Sequence, residues 1–273
     1  MFQRVATALA FSPRLEANLC EGIRVAQYFN AELVLIHVGD QDADKKRILD
    51  GLLADHSFPE NRLKIVWHKG DPVKVISRAC KVHEVDLLVA GAVQNENLLT
   101  YYLGSVARDL CREAPCSILL LVNPATESVK FHTMVVDGKQ HPEDKQLIKA
   151  AMAFGQAIGI KESFFVEELK PKAVKELSNE AEEDDPIAME NERVSKMLDG
   201  MNDCREMEIN NFPIFGQGGY TISHFAQSKR ADLLVLHAPE KKQARLNRFF
   251  TRGIEYVLTD LPTNLLLYKN HAE

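Results

Sequence analysis

The segment from Gly91 to Ser105 holds the residues of this chain with the clearest ligand chemistry. Gly91 ends an apolar run, and Gly104 and Ser105 open a helical pattern. Glycine lets the backbone approach an anion closely, and the amides and hydroxyl group at a helix N-terminus can hold phosphate oxygens. The segment therefore predicts a phosphate-binding loop. A structural explanation also stands, since Gly91 would allow a tight connection and Ser105 would satisfy a backbone amide at the helix start.

Motifs of familiar catalytic and metal sites are missing from the sequence. It contains no His-Glu-x-x-His, Gly-x-Ser-x-Gly or Cys-x-x-Cys, and its nine histidines are scattered without metal-ligand spacing. His37 and His237, each at the end of an apolar strand, are interpreted as hydrogen-bonded structural residues. The five cysteines, an odd number, are typical of reduced buried thiols. We expect no metal cofactor and no catalysis beyond a weak ATPase at most.

Apolar strands alternate with amphipathic helices along the first half. Residues 33–36 and 118–121 are apolar throughout, as in strands that are covered on both faces. The alternation predicts an α/β fold with an open, doubly wound, five-stranded parallel sheet flanked by helices, and Trp67 is expected in its core. Ligands of such sheets bind outside the carboxyl ends of the strands where the winding reverses, so the turns after strands one and four are the predicted site. The predicted strands are 4–9, 32–38, 62–67, 86–90 and 117–122.

The second half repeats landmarks of the first. The run Asp86-Leu87-Leu88-Val89 recurs as Asp232-Leu233-Leu234-Val235, and Gly70 recurs as Gly216 at the same spacing. Such self-similarity indicates a duplicated unit. We therefore predict two tandem domains, at residues 1–125 and 128–273.

The second domain is predicted to carry an acidic insertion near residues 180–200. Consecutive carboxylates repel one another and favour solvent, so the acidic run is interpreted as a solvated loop with extra helical turns.

Composition narrows the functional classes. With 273 residues, 45% of them hydrophobic and 26% charged, the chain can bury two ordinary cores. Its net charge of −6 does not favour nucleic acid, because that binding depends first on cationic neutralisation of phosphates. No stretch approaches the roughly 20 apolar residues that span a bilayer, and the N-terminal residues do not form a secretory signal. A cytoplasmic protein with no membrane or nucleic-acid partner is expected.

The loop after strand four resembles the phosphate-binding segment of the universal stress protein family. That segment reads Gly, two residues, Gly, nine residues, Gly, then Ser or Thr; Gly91, Gly104 and Ser105 match it, and Gln94 stands at the middle glycine. The resemblance covers the first half and implies an adenine nucleotide alpha hydrolase-like, Rossmann-like fold. It implies ATP or another adenine nucleotide as the ligand. The contacts that it implies are Val38, Gly91, Gln94, Gly104, Ser105 and Val106.

The second half resembles the family less evenly. Asp137 and Gly138 lie just after its first strand, where many members place an acidic residue against the adenosine part of the ligand, whereas the first half has Ala10 there. The phosphate glycines have no counterpart in the second half, where His237 stands against Gly91. The resemblance thus implies a nucleotide in the first domain and leaves a possible second site at Asp137 and Gly138. An ordinary turn explains these two residues equally well.

The resemblance implies a tandem universal stress protein that acts by ligand-linked regulation during stress. The two domains would form an internal pseudo-dimer, and a homodimer of chains is also possible. The alternative is a nucleotide-independent scaffold or interaction protein, and an ATP hydrolase is the least expected function.

Overall fold

The computed structural model describes residues 2–94, 101–138, 144–169, 207–215, 219–239 and 248–270. The chain divides into two compact units, Met1–Val129 and Lys130–Asn270. None of the helices in these described ranges is long and apolar enough to cross a membrane.

The first unit alternates strands and helices as the sequence predicts. Its main elements are β1 (Arg4–Leu9), α1 (Leu15–Tyr28), β2 (Glu32–Val38), α2 (Ala43–Asp55), β3 (Leu63–His68), α3 (Pro72–Val82), β4 (Leu87–Gly91), β5 (Val93–Gln94), β6 (Tyr101–Tyr102), α4 (Ser105–Glu113) and β7 (Ser117–Leu121).

The sheet of the first unit is parallel, with the strand order β7-β4-β1-β2-β3. All five residues of β7 are buried, and so are the central five of β2, as expected for strands covered on both faces. The winding reverses at β1, which lies between β2 and β4. The predicted α/β class with a parallel sheet is confirmed. The short antiparallel pair of β5 and β6 after β4 was not predicted.

The second unit has the same strand order as the first when its strands are counted along the chain. Its sheet runs β10-β9-β8-β11-β12, and the winding reverses at β8. The acidic run of the predicted insertion lies outside the described residues. The elements are β8 (Thr133–Asp137), α5 (Asp144–Ile158), β9 (Glu162–Leu169), β10 (Glu208–Phe215), α6 (Tyr220–Ser228), β11 (Leu233–His237), α7 (Arg248–Thr259) and β12 (Asn264–Tyr268).

Asp86 and Asp232 have the same structural role in the two units. The Asp86 Oδ2 atom accepts hydrogen bonds from the backbone amides of residues 3 and 4, at 2.7 and 2.9 Å. The Asp232 Oδ2 atom accepts from the amides of residues 132 and 133, at 2.7 and 3.0 Å. In each unit the carboxylate just before the fourth strand therefore anchors the start of the first strand. This shared bond explains why both halves have aspartate here.

Replacing Asp86 by alanine should lower the free energy of unfolding of the first unit by about 1 to 3 kcal/mol, because two amides lose a charged acceptor. Asp86→Asn should lower the free energy of unfolding by less, since an amide oxygen can still accept a hydrogen bond from the two backbone amides. Urea denaturation measures both changes. Asp109→Ala is the matched control, because Asp109 lies at the surface and pairs only with Arg112 among the partners described. Equal effects of Asp86→Ala and Asp109→Ala would contradict the anchoring role.

The described cysteines are buried and unpaired by disulfides, as the sequence predicts. They are Cys20, Cys80, Cys111 and Cys116. A hydrogen bond with Cys116 is the main cause that raises the pKa of the Cys80 thiol far above its usual value, and burial of the thiol is the second cause. Burial also raises the pKa of Cys20. Both groups are therefore held as neutral thiols, which react slowly.

Candidate functional site

The ends of β1 and β4 lie side by side at the carboxyl edge of the first sheet. Thr7 of β1 is paired with Val89 of β4, so the residues that follow Leu9 and Gly91 emerge at the same edge. The reversal of winding at β1 makes this edge the place where a doubly wound sheet binds its ligand. The structure thus brings the two predicted turns together.

Gly91 lies against a side chain of helix α1. A Cβ atom built on Gly91 would stand 2.5 Å from the Asn18 Oδ1 atom, which is shorter than any real contact of this kind. The Asn18 Nδ2 group donates to the Arg14 backbone oxygen at 3.0 Å. Among the described residues the buried Oδ1 atom has no hydrogen-bond partner. Gly91 therefore has a packing role, whatever it does for a ligand.

Arg14 brings a positive charge to the end of β4. Its Nη1 group donates to the backbone oxygen of Ala92 at 3.1 Å, next to Gly91. Local sequence patterns do not single out Arg14, because its charge is brought to β4 only by the packing of α1 on the sheet. The positive charge of this guanidinium favours an anion at this edge.

Gly104, Ser105 and Val106 form the start of α4, as predicted. Gly104 is the N-cap with φ −58° and ψ 154°, and no side chain caps the helix there. Every residue type can adopt these angles, so conformation does not require glycine at this position. Ser105 is exposed, and Val106 is 37% exposed. The first turn therefore presents backbone amides, the Ser105 hydroxyl and the positive end of the helix dipole to solvent.

Gln94 lies in the β5–β6 pair, where it is paired with Tyr101. The conformation of its side chain and residues 95–100 of the same loop lie outside the described residues. The predicted contact between Gln94 and a ligand therefore stays a prediction.

A cluster of three rings lies next to Val38 at the end of β2. The ring centroids of Phe11 and His37 are 4.8 Å apart, those of His37 and Trp67 are 4.9 Å apart, and those of Phe11 and Trp67 are 5.7 Å apart. Val38 is half-buried and is paired with His68 of β3. Trp67 is partly exposed in this cluster, so its predicted place in the core is wrong. An edge strand leaves one side of such a residue uncovered.

His37 is held by the neighbouring strand, as the sequence analysis expected. Its Nδ1 atom lies 3.0 Å from the backbone oxygen of Leu9. Because a carbonyl oxygen only accepts, Nδ1 carries a proton, and in the neutral form of the ring Nε2 then has a lone pair. Leu9, His37 and Trp67 are paired across β1, β2 and β3. This register, which local sequence patterns do not reveal, assembles the cluster.

The described residues at the corresponding edge of the second unit leave only a narrow cleft. Asp137 and His237 are buried there, 4% and 7% exposed, and line a cleft with Gly219 and Gly253. The space open to the centre of a water molecule is about 10 Å³, which holds about one water. The N–H group of Gly138 donates to the backbone oxygen of Val166 at 2.8 Å. The described part of this edge therefore has no room for a nucleotide base.

Helix packing causes this closure. A Cβ atom on Gly219, at the start of α6, would lie 2.1 Å from the backbone oxygen of Gly253 in α7. The two helices thus meet through their glycines directly over the cleft. The basic stretch at 241–247, which follows β11, lies outside the described residues.

No group of three or more His, Cys, Asp or Glu side chains is placed to hold a metal ion in the described ranges. The donors that the structure does place at the first edge are cationic or amide groups, which suit an anion.

The comparisons with known proteins agree with this architecture. Residues 1–122 match the sequence model of the Universal stress protein family. No curated protein matches the sequence. Solved structures resemble the chain over nearly its whole length, at low identity.

Three solved structures illustrate this likeness. A functionally unknown protein of Pseudomonas aeruginosa PAO1 is 14% identical with a TM-score of 0.70, over 98% of this chain and 92% of that one. A putative universal stress protein from Pseudomonas aeruginosa UCBPP-PA14 has the same identity and TM-score, over 98% and 93%. A universal stress protein from Archaeoglobus fulgidus DSM 4304 is 13% identical with a TM-score of 0.65, over 97% and 98%. At these identities the likeness establishes the fold alone.

Proposed function

We propose, from the match of residues 1–122 to the Universal stress protein family model, that the first unit binds an adenine nucleotide, ATP being the first candidate. The chain would then be a cytoplasmic regulatory protein of the stress response whose contacts depend on the bound nucleotide. The observation that carries the proposal is the start of α4, where Gly104 and the exposed Ser105 stand at the carboxyl edge of the sheet.

The phosphates would lie at the N-terminus of α4. The amides of its first turn and the Ser105 hydroxyl are donors, and the helix dipole favours an anion there. Arg14, bonded to Ala92 at the end of β4, adds a cation at the same edge.

The base and ribose would lie towards the end of β2. Val38 ends this strand and is half-buried, at the carboxyl edge of the sheet where the ligand is proposed to bind. Asp137 of the second unit occupies the position that is Ala10 in the first, but its cleft holds about one water. A second nucleotide at Asp137 and Gly138 is therefore not part of the proposal.

The second unit is proposed to be a structural copy of the first within one tandem chain. The identical strand order and the matching bonds of Asp86 and Asp232 support this origin.

The alternative function is a nucleotide-independent scaffold or interaction protein. Two observations favour it. The close approach of the Asn18 side chain explains why residue 91 is a glycine without any ligand, and the ring of Phe11 packs against His37 near the end of β2. Under this alternative the Ser105 hydroxyl is only a helix-start residue.

Isothermal titration calorimetry of the full chain with ATP, ADP and AMP tests the proposal. We expect saturable binding of at least one of them with one site per chain, because the described cleft at Asp137 holds about one water. Mass spectrometry of ligand released from the purified protein should identify the same nucleotide. Absence of heat with all three at millimolar concentration would establish the scaffold instead.

Bound ATP should be recovered largely intact. Cradling the phosphates stabilises bound substrate, and it accelerates hydrolysis only if the transition state gains more. A positioned water and charge neutralisation are also needed, whereas the turn after β1 offers exposed Ala10 in place of a carboxylate. Incubation with ATP followed by phosphate assay measures this. Sustained phosphate release that copurifies with the chain and is lost in Ser105→Ala would indicate an ATPase.

A further inference from the structure

The Nε2 atom of His37 is a buried hydrogen-bond acceptor without a partner. The side chain is 8% exposed, and Nδ1 donates to Leu9, which in the neutral form of the ring leaves the lone pair on Nε2. Within the described part of the chain no group hydrogen-bonds to Nε2. Leaving such an atom unsatisfied is unfavourable, so its retention calls for an explanation.

Gly39 leaves the space beside this acceptor free of a side chain. A Cβ atom on Gly39 would stand 2.8 Å from Nε2, where it would block any donor. Gly39 directly follows Val38, at the edge where the nucleotide is proposed to bind. The acceptor and the open position thus both belong to the proposed base end of the site.

Phe11 covers this end with a planar ring. It stacks on Trp67 with an interplanar angle of 29° and stands edge-on to His37 at 82°. Its neighbours Ala10, Ser12 and Pro13 are exposed, so the turn that carries the ring has little packing to hold it. The ammonium group of Lys45 lies 5.8 Å from the ring centroid. A ring in these contacts has the shape and stacking partner that a purine would use.

We propose that Phe11 is a displaceable plug of the base subsite: the purine of the nucleotide takes its place on Trp67 and donates its 6-amino N–H to His37 Nε2. This inference rests on the proposed function and specifies how the first unit recognises the base. It explains the unsatisfied acceptor, because the donor comes from the ligand. It also makes His37 selective for a 6-amino purine over one that has no donor at this position.

The fluorescence of Trp67 tests the stacking directly, because it is the only tryptophan in the chain. Titration of the full chain with ATP should quench its emission, with the midpoint that calorimetry gives. His56→Asn is the matched control, since His56 lies at the surface of the same unit and bonds to Glu16. The His56→Asn variant should bind ATP as tightly as the unaltered chain, and ATP should quench its Trp67 emission to the same extent. Unchanged emission at saturating ATP would overturn the proposal while leaving the proposed function standing.

The hydrogen bond to His37 is tested by pairing a ligand change with a residue change. Purine riboside 5′-triphosphate has no 6-amino group, and we expect it to bind about tenfold more weakly than ATP. In His37→Asn this ratio should fall to near one. The asparagine amide can still donate to Leu9 as Nδ1 does, but it places no atom at Nε2. His37→Gln, whose oxygen can reach that region, should restore part of the ratio.

Removal of the Phe11 ring should strengthen ATP binding, whereas loss of the His37 hydrogen bond should weaken it. Phe11→Ala should bind ATP about three to ten times more tightly, because no ring must be displaced.

Equal binding of the two triphosphates by the unaltered chain, or a ratio that persists in a folded His37→Asn variant, would overturn the proposal. Weaker ATP binding by Phe11→Ala would overturn the displacement. If neither triphosphate binds at all, both this inference and the proposed function are wrong.

Discussion

Replacing Gly104 by tryptophan should weaken ATP binding at least about 100-fold, the largest effect expected at the first site. The indole would fill the volume at the start of α4 where the phosphates are proposed to lie. Loss of two charge-assisted hydrogen bonds, each contributing roughly 1.5 to 3 kcal/mol, accounts for this magnitude. Gly104 has φ −58° and ψ 154°, so the larger residue can start the helix without backbone strain. Calorimetry with ATP measures the change.

Gly51→Trp is the matched control for this substitution. A Cβ atom at Gly51, in α2, meets nothing within 4 Å, so the new ring should remain in solvent. Its ATP affinity should equal that of the unaltered chain. If Gly104→Trp also binds ATP normally, the phosphates do not lie at α4, and the nucleotide site must be sought elsewhere in the first unit.

Replacing Gly219 by alanine should lower the free energy of unfolding of the second unit by about 2 to 5 kcal/mol. Gly219 has φ +85°, which is strained for any residue with a Cβ atom. The new methyl group would also overlap the backbone of Gly253, 2.1 Å from its oxygen, and force α6 and α7 apart. Hydrogen exchange of α6 and β11 reports this loss locally, since the single tryptophan lies in the first unit.

Gly159→Ala separates the two causes of that loss. Gly159 also has φ +85°, but a Cβ atom there meets nothing within 4 Å. It should therefore show only the backbone strain, about 1 to 2 kcal/mol. If the two variants are equally stable, the helix contact over the Asp137 cleft contributes nothing, and the closure of the second edge has another cause.

The sequence by itself determined the class of the fold and the position of its elements. Apolar runs such as 118–121 indicate buried parallel strands, because a strand covered on both faces has no polar side. Gly104 and Ser105 predicted the start of α4 correctly, since helix-start preferences act within a few residues. The repeat of Asp86 at Asp232 indicated two like units, and the matching bonds now explain it.

Only the tertiary structure decided what the predicted residues touch. That Gly91 receives the side chain of Asn18, and that Arg14 reaches Ala92, depends on how α1 crosses the sheet. The closure of the second edge likewise depends on one approach of two helices at Gly219 and Gly253.

The ring cluster makes the same point most clearly. Phe11, His37 and Trp67 are far apart in the chain. Strand register pairs His37 with Trp67, and the turn after β1 places Phe11 against both rings. Local patterns specify which element a residue joins, because they arise from neighbours along the chain. Contacts between elements arise from register and packing, which no local pattern contains. For this reason the sequence predicted the edge at which a ligand would bind, while the structure alone revealed an unsatisfied acceptor there and the ring that covers it.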